Sequence, residues 1–224
     1  MRGAREATRE RLLRAAAALF AERGYRGATL RAIAARGRTN LAAANYHFGS
    51  KQRLYREVAS SLFAALEERF ERAGLRRDPE VLARLPRETL EDLLRSRIRA
   101  LLETLLASPG LHGTIALREL CDPTPALREI ARRFLAPMRS DLAALVKALA
   151  PGLSDEEALR CVHGIVGHVF FYRTHRPALL LLDGAGADPA DAAERLAAHI
   201  AAFSLGGIER VAAAGGAGRS GTAT

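Results

Sequence analysis

The chain has few cysteines, no long apolar run and no apolar segment at its start. Its 224 residues include only two cysteines, Cys121 and Cys161, and both lie in segments with helical periodicity. A disulfide framework is therefore not expected, and a reduced, cytoplasmic setting follows. The longest apolar stretches, such as residues 162–172, are interrupted by His or Gly and are too short to span a membrane. The first residues are charged and carry no secretory core, so we expect no membrane partner.

The sequence also lacks the spacing of a metal site or a catalytic centre. Its His and Cys residues form no cluster with ligand spacing, so neither a metal nor a cofactor is expected. Tyr46 and His47 are adjacent, and a histidine there could transfer protons. No nucleophile or paired carboxylate lies nearby in sequence, so catalysis at this place is not expected.

Acidic residues are scarce in the first quarter of the chain. Residues 1–56 hold 13 Lys and Arg against three acidic residues, a net charge of +10. Residues 57–224 hold 21 basic and 22 acidic residues, a net charge of −1. A codon bias explains the preference for Arg over Lys, but not why acidic partners are missing only here. This asymmetry predicts a nucleic-acid-binding module joined to a nearly neutral domain.

Apolar residues recur with helical periodicity along nearly the whole chain, which predicts an all-α fold of about nine helices. The first helix is expected over residues 5–23, with Gly24 ending it. A second begins after Thr29 and a third after Asn40, both as N-caps. Ser50 caps a long fourth helix over residues 51–73. Three short helices followed by a long one are the arrangement of a helix-turn-helix module.

The remaining chain predicts a second, larger helical bundle. Helices are expected over residues 88–107, 111–120, 126–149, 155–174 and 189–213. Ser154 and Glu157 form a capping box, and Asp188 caps the last helix before Pro189. A loop is expected at Pro177 and over residues 183–187. The predicted domains are 1–50 for DNA binding, 51–213 for ligand binding and dimerisation, and 214–224 as a disordered tail.

The third helix has the composition of a recognition helix for the major groove. Leu41, Ala44 and Phe48 share one face and are expected to point into the module's own core. Asn45 could read adenine or bind a phosphate, and an alanine methyl group can touch thymine. The predicted DNA-binding residues are Thr29, Arg31, Thr39, Asn40, Ala42, Ala43, Asn45, Tyr46, His47 and Lys51.

Residues 9–55 resemble the N-terminal domain of the TetR family of transcriptional regulators. The resemblance rests on "LFAERGY" at the end of helix one, "TLRAIA" in helix two and "YHFGSK" at the close. It implies homodimerisation through the last two helices and a ligand pocket in the C-terminal domain. "LRELCDPTPAL" (117–127) and "GIVGHVFFYRTHRP" (164–177) are similar to the CecR-like subgroup, whose recognition helix also tends to read "NLAAxNYHFGSK".

Two positions depart from the family pattern. Arg38 occupies the turn position where the family usually has Gly, and Gly37 lies one residue earlier. Asn45 replaces the usual aromatic residue, a change that the CecR-like subgroup shares. The turn is therefore expected either to tolerate Arg38 at some cost or to differ locally.

The resemblance also suggests residues for the effector and the dimer. Arg118 and Glu119 would form a buried ion pair that either orients an effector or joins two helices. His168 and Tyr172 share a face and would line the pocket or the dimer seam, unless they only pack. The small and apolar residues of the last helices predict a four-helix interface. Its predicted members are Val162, Ile165, Val169, Leu196, Ile200 and Phe203.

The sequence thus predicts a homodimeric, ligand-responsive transcriptional regulator, most simply a repressor. Its partners would be double-stranded DNA with a palindromic operator, an unknown small-molecule effector and a second copy of the chain. Two alternatives stay open. One is an architectural DNA-binding protein without an effector. The other is an all-helical enzyme that uses His163, His168 or Cys161.

Overall fold

The computed structural model describes residues 2–106, 111–183 and 189–220. Within these ranges every regular element is helical, which confirms the all-α fold. The helices are α1 (Arg2–Gly27), α2 (Leu30–Arg36), α3 (Leu41–Phe48), α4 (Lys51–Arg72), α5 (Pro79–Leu82), α6 (Arg87–Leu106), α7 (Leu111–Cys121), α8 (Leu127–Ile130), α9 (Ala136–Leu149), α10 (Asp155–Thr174), α11 (Arg176–Asp183) and α12 (Pro189–Ser220). A π-helical segment, Ala131–Leu135, joins α8 to α9.

The chain divides into two compact units. The first unit comprises Met1–Glu67 and Pro109–Phe134, and the second comprises Glu68–Ser108 and Leu135–Thr224. The first unit therefore contains α1–α3, most of α4, and the α7–α8 region. This division is one of packing, so the functional boundary predicted after residue 50 stays a prediction.

Local cap chemistry sets the helix ends in the first unit. Gly24 has φ 70° and interrupts the helical dihedrals of α1 where the sequence predicted an end. The Thr29 hydroxyl accepts from the Ala32 amide at 3.1 Å, and the Asn40 side chain accepts from the Ala43 amide at 2.7 Å. The Ser50 hydroxyl accepts from the Arg53 amide at 3.2 Å. All three predicted caps are confirmed, because each depends only on residues three apart.

The core of the first unit lies between α1, α2, α3, α4 and α7. Leu12 and Phe20 of α1 and Ile33 of α2 are fully buried, together with Leu54 of α4 and Ile115 of α7. Burying each such side chain contributes about 1.5–3 kcal/mol, so these contacts hold α1, α2 and α3 in place. Phe20, Tyr25 and Tyr55 form an aromatic cluster in this core, with the Phe20 and Tyr55 rings edge to face at 4.9 Å.

The second unit is a bundle around α6, which packs against α9, α10 and α12. Its buried face carries Leu90, Leu94, Ile98 and Leu102. Arg97 is also buried and donates to the backbone carbonyls of Leu75, at 2.7 Å, and Asp141, at 2.9 Å. Burial lowers the pKa of Arg97 to about 10, and the nearby Asp141 charge acts in the opposite direction. The Arg97 side chain thus joins the segment after α4 to α9.

Several segments of the second half differ from the sequence prediction. The helix expected over residues 126–149 is interrupted by the π-helical segment, which ends two residues before Pro137. Proline cannot donate a backbone hydrogen bond, and a local change of helical pitch accommodates it. Residues 176–183 form α11, although the sequence predicted a loop at Pro177. Here proline occupies the second position of the helix, where no intrahelical donor is needed.

The end of the chain also differs from the prediction. α12 continues to Ser220, whereas a disordered tail was expected from residue 214. The run of Ala in residues 212–217 favours continuation of the helix despite its glycines. The predicted cap Asp188 and the break between the helices expected over residues 88–107 and 111–120 lie outside the described residues. The short helices α5, α8 and α11 account for the larger number of helices than the nine expected.

Candidate nucleic-acid interface

The turn between α2 and α3 sets the position of the predicted recognition helix. The Thr39 amide donates to the Ala34 carbonyl at 2.9 Å, and the Arg38 amide donates to the Ala35 carbonyl at 3.1 Å. These two bonds form a Schellman motif, in which the residue after the cap takes a left-handed conformation. That residue is Arg38, with φ 52°. Among the described residues no other non-glycine has positive φ.

Gly37 does not take the left-handed conformation that the turn glycine of the family pattern would take. Its φ is −75°, which any residue adopts. A Cβ atom at this position would lie 3.3 Å from the Ile33 carbonyl and 3.5 Å from the Arg11 carbonyl. The distance to the Arg11 carbonyl is an ordinary van der Waals contact, and the one tighter contact is with Ile33 of α2 itself. Arg38, and not Gly37, carries the strained dihedral. A non-glycine residue in this conformation costs roughly 1–2 kcal/mol.

The outer face of α3 is exposed and carries the predicted DNA-binding side chains. Ala44 and Phe48 are buried, as the periodicity predicted. Leu41 was predicted to point into the core, but it is the first residue of α3 and is 36% exposed, so this prediction is wrong. Asn40, Ala42 and Asn45 are exposed, Ala43 is half-buried, and none of these side chains is large. The backbone of α3 can therefore approach another surface closely.

Tyr46 extends the exposed face toward the start of α1. Its ring is 65% exposed, and its hydroxyl oxygen accepts a hydrogen bond from Arg5. The Arg5 guanidinium also lies 4.8 Å from the Tyr46 ring centroid. His47 is half-buried and meets the Tyr46 ring edge to face at 5.3 Å. The Arg5 cation and the polar aromatic side chains of Tyr46 and His47 therefore lie close together at the C-terminal end of α3.

The Lys51 side chain forms a hydrogen bond and a cation–π contact within the protomer. Its ammonium donates to the Tyr25 carbonyl at 3.1 Å and lies 4.5 Å from the Tyr25 ring centroid. This contact ties the start of α4 to the end of α1. Lys51 was predicted as a phosphate ligand; an ammonium has three donors, so that prediction stays, but the residue also has a packing role. Thr29 and Arg31, at the start of α2, are exposed, and Thr39 is half-buried.

The predicted ion pair between Arg118 and Glu119 does not form. Glu119 is 1% exposed; its carboxylate accepts from the Tyr55 hydroxyl at 2.6 Å and from the Thr124 amide at 3.0 Å. Arg118 points to the surface, where it reaches the Glu22 carbonyl. Adjacent helical residues diverge by about 100°, so one cannot pair with the other. Burial, and then the Glu119 carboxylate, raise the pKa of the Tyr55 hydroxyl above its ordinary value.

The four predicted effector residues are not in one unit. Arg118 and Glu119 belong to the first unit, and His168 and Tyr172 to the second. His168 is half-buried and meets the Phe203 ring edge to face at 5.0 Å. Tyr172 is half-buried beside the Phe171 ring. The contact with an effector stays a prediction for all four.

An open groove of about 620 Å³ runs between α10 and α12 in the second unit. Its lining includes Cys161, Gly164, His168, Phe203 and Gly207. Phe203 is 61% exposed, and nothing would obstruct a Cβ at Gly164 or Gly207. The stretch Ala193–Gly215 of α12 is long and apolar enough to cross a bilayer by length and composition. Its most apolar 18-residue window has a mean hydropathy of 1.2, and 22% of that window is buried.

The choice of side chains for the predicted dimer interface needs correction. Four of them are buried inside the protomer, where they pack α10 and α12 against the unit's own core: Val162, Ile165, Val169 and Ile200. They have no area left to offer a second copy. Leu196 is partly exposed, and Phe203 is the most exposed of the set. The periodicity identified the apolar stripe but could not distinguish the buried edge from the open one.

The residues named for the enzyme alternative, Cys161, His163 and His168, all lie on α10. Over the described residues, no group of three His, Cys, Asp or Glu side chains is placed to hold a metal ion. Burial, and then Glu157, raise the pKa of the Cys161 thiol, which disfavours the nucleophilic thiolate. His163 is exposed on α10.

Sequence reasoning missed the cations beside Tyr46 and around the turn that precedes α3. Arg5 of α1 contacts Tyr46, and Arg11 and Arg14 lie near the turn with Arg38. Arginine is abundant in this chain, so its positions alone carried no signal. The one available signal was Arg38 in the place where the family pattern has Gly.

Two family descriptions match the chain. Residues 12–58 match the bacterial regulatory proteins of the tetR family. Residues 90–208 match the C-terminal domain of the HTH-type transcriptional dual regulator CecR. The second match alone covers more than half of the chain.

Individual relatives agree with these matches. The chain is 27% identical over 188 residues to the HTH-type transcriptional dual regulator CecR of Shigella flexneri, covering 80% of this chain and 81% of that protein. It shares its fold with AibR, solved with isovaleryl coenzyme A and operator DNA, at 17% identity, TM-score 0.65 and coverage of 88% and 97%. The hemolysin II transcriptional regulator HlyIIR has TM-score 0.59 at 23% identity, with coverage of 87% and 97%.

Proposed function

Since the chain belongs to the TetR family of transcriptional regulators, in its CecR-like group, we propose that it is a ligand-responsive repressor that binds a palindromic operator as a dimer. Its place of action would be the cytoplasm, and it would have no catalytic role. Residues 1–50 would form the DNA-binding domain and residues 51–213 the ligand-binding and dimerisation domain.

The observation that carries this proposal is the outer face of α3. It combines small side chains that permit close approach with the exposed amide of Asn45, and it is bordered by Tyr46 and His47. Such a face suits the major groove, where an amide side chain reads adenine with two hydrogen bonds. Thr29 and Arg31 at the start of α2 and Thr39 in the turn would bind phosphates, which fix the register.

The groove between α10 and α12 supports the proposed dimer. Phe203 projects from one side of it, and the open positions Gly164 and Gly207 can admit a bulky side chain from a second copy. In a two-fold interface the same surface is used twice, so a projecting ring and an open groove on one face complement each other. Contact with a second copy would also cover the exposed apolar side of α12.

The proposed response to a ligand rests on similarity. AibR, which has the same fold, was solved with both isovaleryl coenzyme A and operator DNA. For this chain we propose an effector in the second unit that favours a dimer geometry unable to fit the operator. α4 would transmit the change, because it begins beside α3 and ends in the second unit. Such coupling requires only a difference in effector affinity between the two states.

A mobility shift with the DNA upstream of the chain's own gene tests the proposal. We expect the parent to bind, and Asn45→Ala to lose about 1–3 kcal/mol of specific binding free energy. Alanine favours helix more than asparagine does, so α3 is not weakened by this change. Lys51→Ala is less informative, because it also removes the hydrogen bond that ties α4 to the Tyr25 carbonyl.

Glu80→Ala, on exposed α5 of the second unit, is the control and should bind as the parent does. If Asn45→Ala also binds as the parent does, the assignment of the recognition helix is wrong. Equal affinity of the parent for upstream DNA and for unrelated DNA would instead favour the architectural alternative.

A further inference from the structure

A concavity of about 410 Å³ lies between α1 and the turn that precedes α3, and four arginines surround it. Its lining consists of Arg11, Arg14, Ala15, Arg36, Gly37 and Arg38. All four arginines are exposed, whereas Ala15 and Gly37 form the buried floor. No residue of this concavity was among the DNA-binding residues predicted above.

The four guanidinium groups are only partly neutralised. Arg36 binds Glu22 at 2.7 Å, so its charge has a partner. Arg14 has Glu10 at 3.9 Å, but both side chains are well exposed, so the attraction is weak. Arg11 donates to the Thr8 hydroxyl, which carries no charge. In the described part of the chain, no acidic side chain lies within ion-pair distance of Arg38, so the concavity keeps a net positive charge.

Arg38 is strained where a glycine would not be. Its φ of 52° belongs to the left-handed region, and the turn would form more easily with glycine at this position. The sequence places the glycine at 37 instead, where φ is −75° and the backbone conformation does not require glycine. A strained residue that persists in a turn points to a role for its side chain.

The concavity is continuous in sequence with the recognition face. Arg38 immediately precedes Thr39 and Asn40, which lead into α3. Arg11 and Arg14 are three residues apart, so they share one face of α1, and both line the concavity beside the turn. The three cations therefore lie around the turn that leads into α3.

We propose that Arg11, Arg14 and Arg38 form a phosphate clamp that binds the DNA backbone next to the recognition helix. This inference rests on the proposed DNA-binding function and adds an anchoring site specific to this chain. Guanidinium groups suit phosphate oxygens because they donate in a planar, bidentate geometry. Phosphate contacts position a protein without reading sequence, so the clamp adds affinity and fixes register, whereas Asn45 reads the base.

The dependence of DNA binding on salt concentration tests the clamp. The full chain is titrated with two labelled duplexes, the DNA upstream of its own gene and one of random sequence, between about 50 and 200 mM salt. A plot of log K against log salt has a slope of about −0.9 for each phosphate neutralised. We expect Arg14→Ala and Arg38→Gly each to make the slope less steep on both duplexes, by about 0.9 for each phosphate that the variant no longer neutralises.

Two controls separate the clamp from other causes. Arg84→Ala removes the same charge from an exposed position in the second unit and should leave the slope unchanged. Arg38→Gly also relieves the strained dihedral, so its melting temperature should equal or exceed that of the parent, which shows that weaker binding does not come from unfolding.

The outcomes are distinct. Parent-like slopes for both Arg14→Ala and Arg38→Gly, with the parent bound to DNA, overturn the clamp and leave the proposed function intact. The clamp also fails if Arg84→Ala reduces the slope equally, because net charge would then explain the effect. A parent that binds neither duplex contradicts both the clamp and the proposed function.

Discussion

At the scale of single residues, Glu119 shows how one buried carboxylate can organise a loop. It accepts hydrogen bonds from the Tyr55 hydroxyl and from the Thr124 amide and hydroxyl. Thr124 lies in the proline-rich break after α7, and Tyr55 belongs to α4. A buried charge is tolerated only when hydrogen bonds replace its hydration, and Glu119 has several. We therefore assign Glu119 a structural role in joining α4, α7 and the following turn.

Tyr55→Phe tests this role. The change removes one hydrogen bond to a buried carboxylate, and bonds to charged groups contribute about 1.5–3 kcal/mol. We expect the free energy of unfolding, measured by urea denaturation, to fall by about that amount. Tyr46→Phe is the matched control, because the Tyr46 hydroxyl is exposed and its removal should change stability by less than about 0.5 kcal/mol. Equal destabilisation of the two variants would contradict the role of Glu119.

Arg38, unlike Glu119, lowers the stability of the fold. Its left-handed dihedral costs roughly 1–2 kcal/mol relative to an ordinary turn residue. Glycine at this position would relieve most of that cost. Part of the gain in stability would be offset, because glycine has more conformational freedom in the unfolded chain. In the proposed clamp, the positive charge of the Arg38 side chain binds a phosphate of the DNA backbone. Strain and function are then located in one residue.

At the scale of elements, α10 and α12 each present two faces. The inner faces carry Val162, Ile165 and Ile200 and complete the bundle around α6. The outer faces form the open groove, with Phe203 and the two unobstructed glycines Gly164 and Gly207. A surface of small residues and one exposed ring suits helix packing against another copy better than contact with water.

Phe203→Glu tests whether this groove forms the dimer. A carboxylate buried at the centre of an apolar contact is strongly unfavourable, so we expect a monomer near 24.2 kDa in place of the parent dimer. Light scattering after size exclusion measures the mass directly. Val81→Glu places the same charge on exposed α5 and should remain dimeric. If Phe203→Glu keeps the mass of the parent dimer, the groove is not the interface.

The elements also show which parts of the structure the sequence could predict. The caps at Thr29, Asn40 and Ser154 were predicted, because each cap and its amide partner are three residues apart. The bond between Tyr55 and Glu119 was not, because 64 residues separate the two partners. The periodicity of α10 and α12 predicted their apolar stripe. It could not show which part of the stripe the protomer itself covers, since that depends on neighbouring helices.

At the scale of the whole molecule, the excess positive charge belongs to the first unit. The first 56 residues carry a net charge of +10 and include α1, α2, α3 and the start of α4. The nearly neutral remainder supplies the whole second unit with its open groove, and also residues 57–67 and 109–134 of the first unit. A basic module that binds DNA nonspecifically would need only the basic residues 1–56. A regulator needs both, because a dimer matches the two half-sites of an operator.

A hydroxyl-radical footprint of the parent on the DNA upstream of its own gene tests the central claim most directly. If α3 reads the major groove in a symmetric dimer, two protected segments should appear, related by a two-fold axis. Their centres should lie about 10 base pairs apart or a multiple of that distance. A single asymmetric segment, or uniform protection that follows protein concentration along any duplex, would contradict the account.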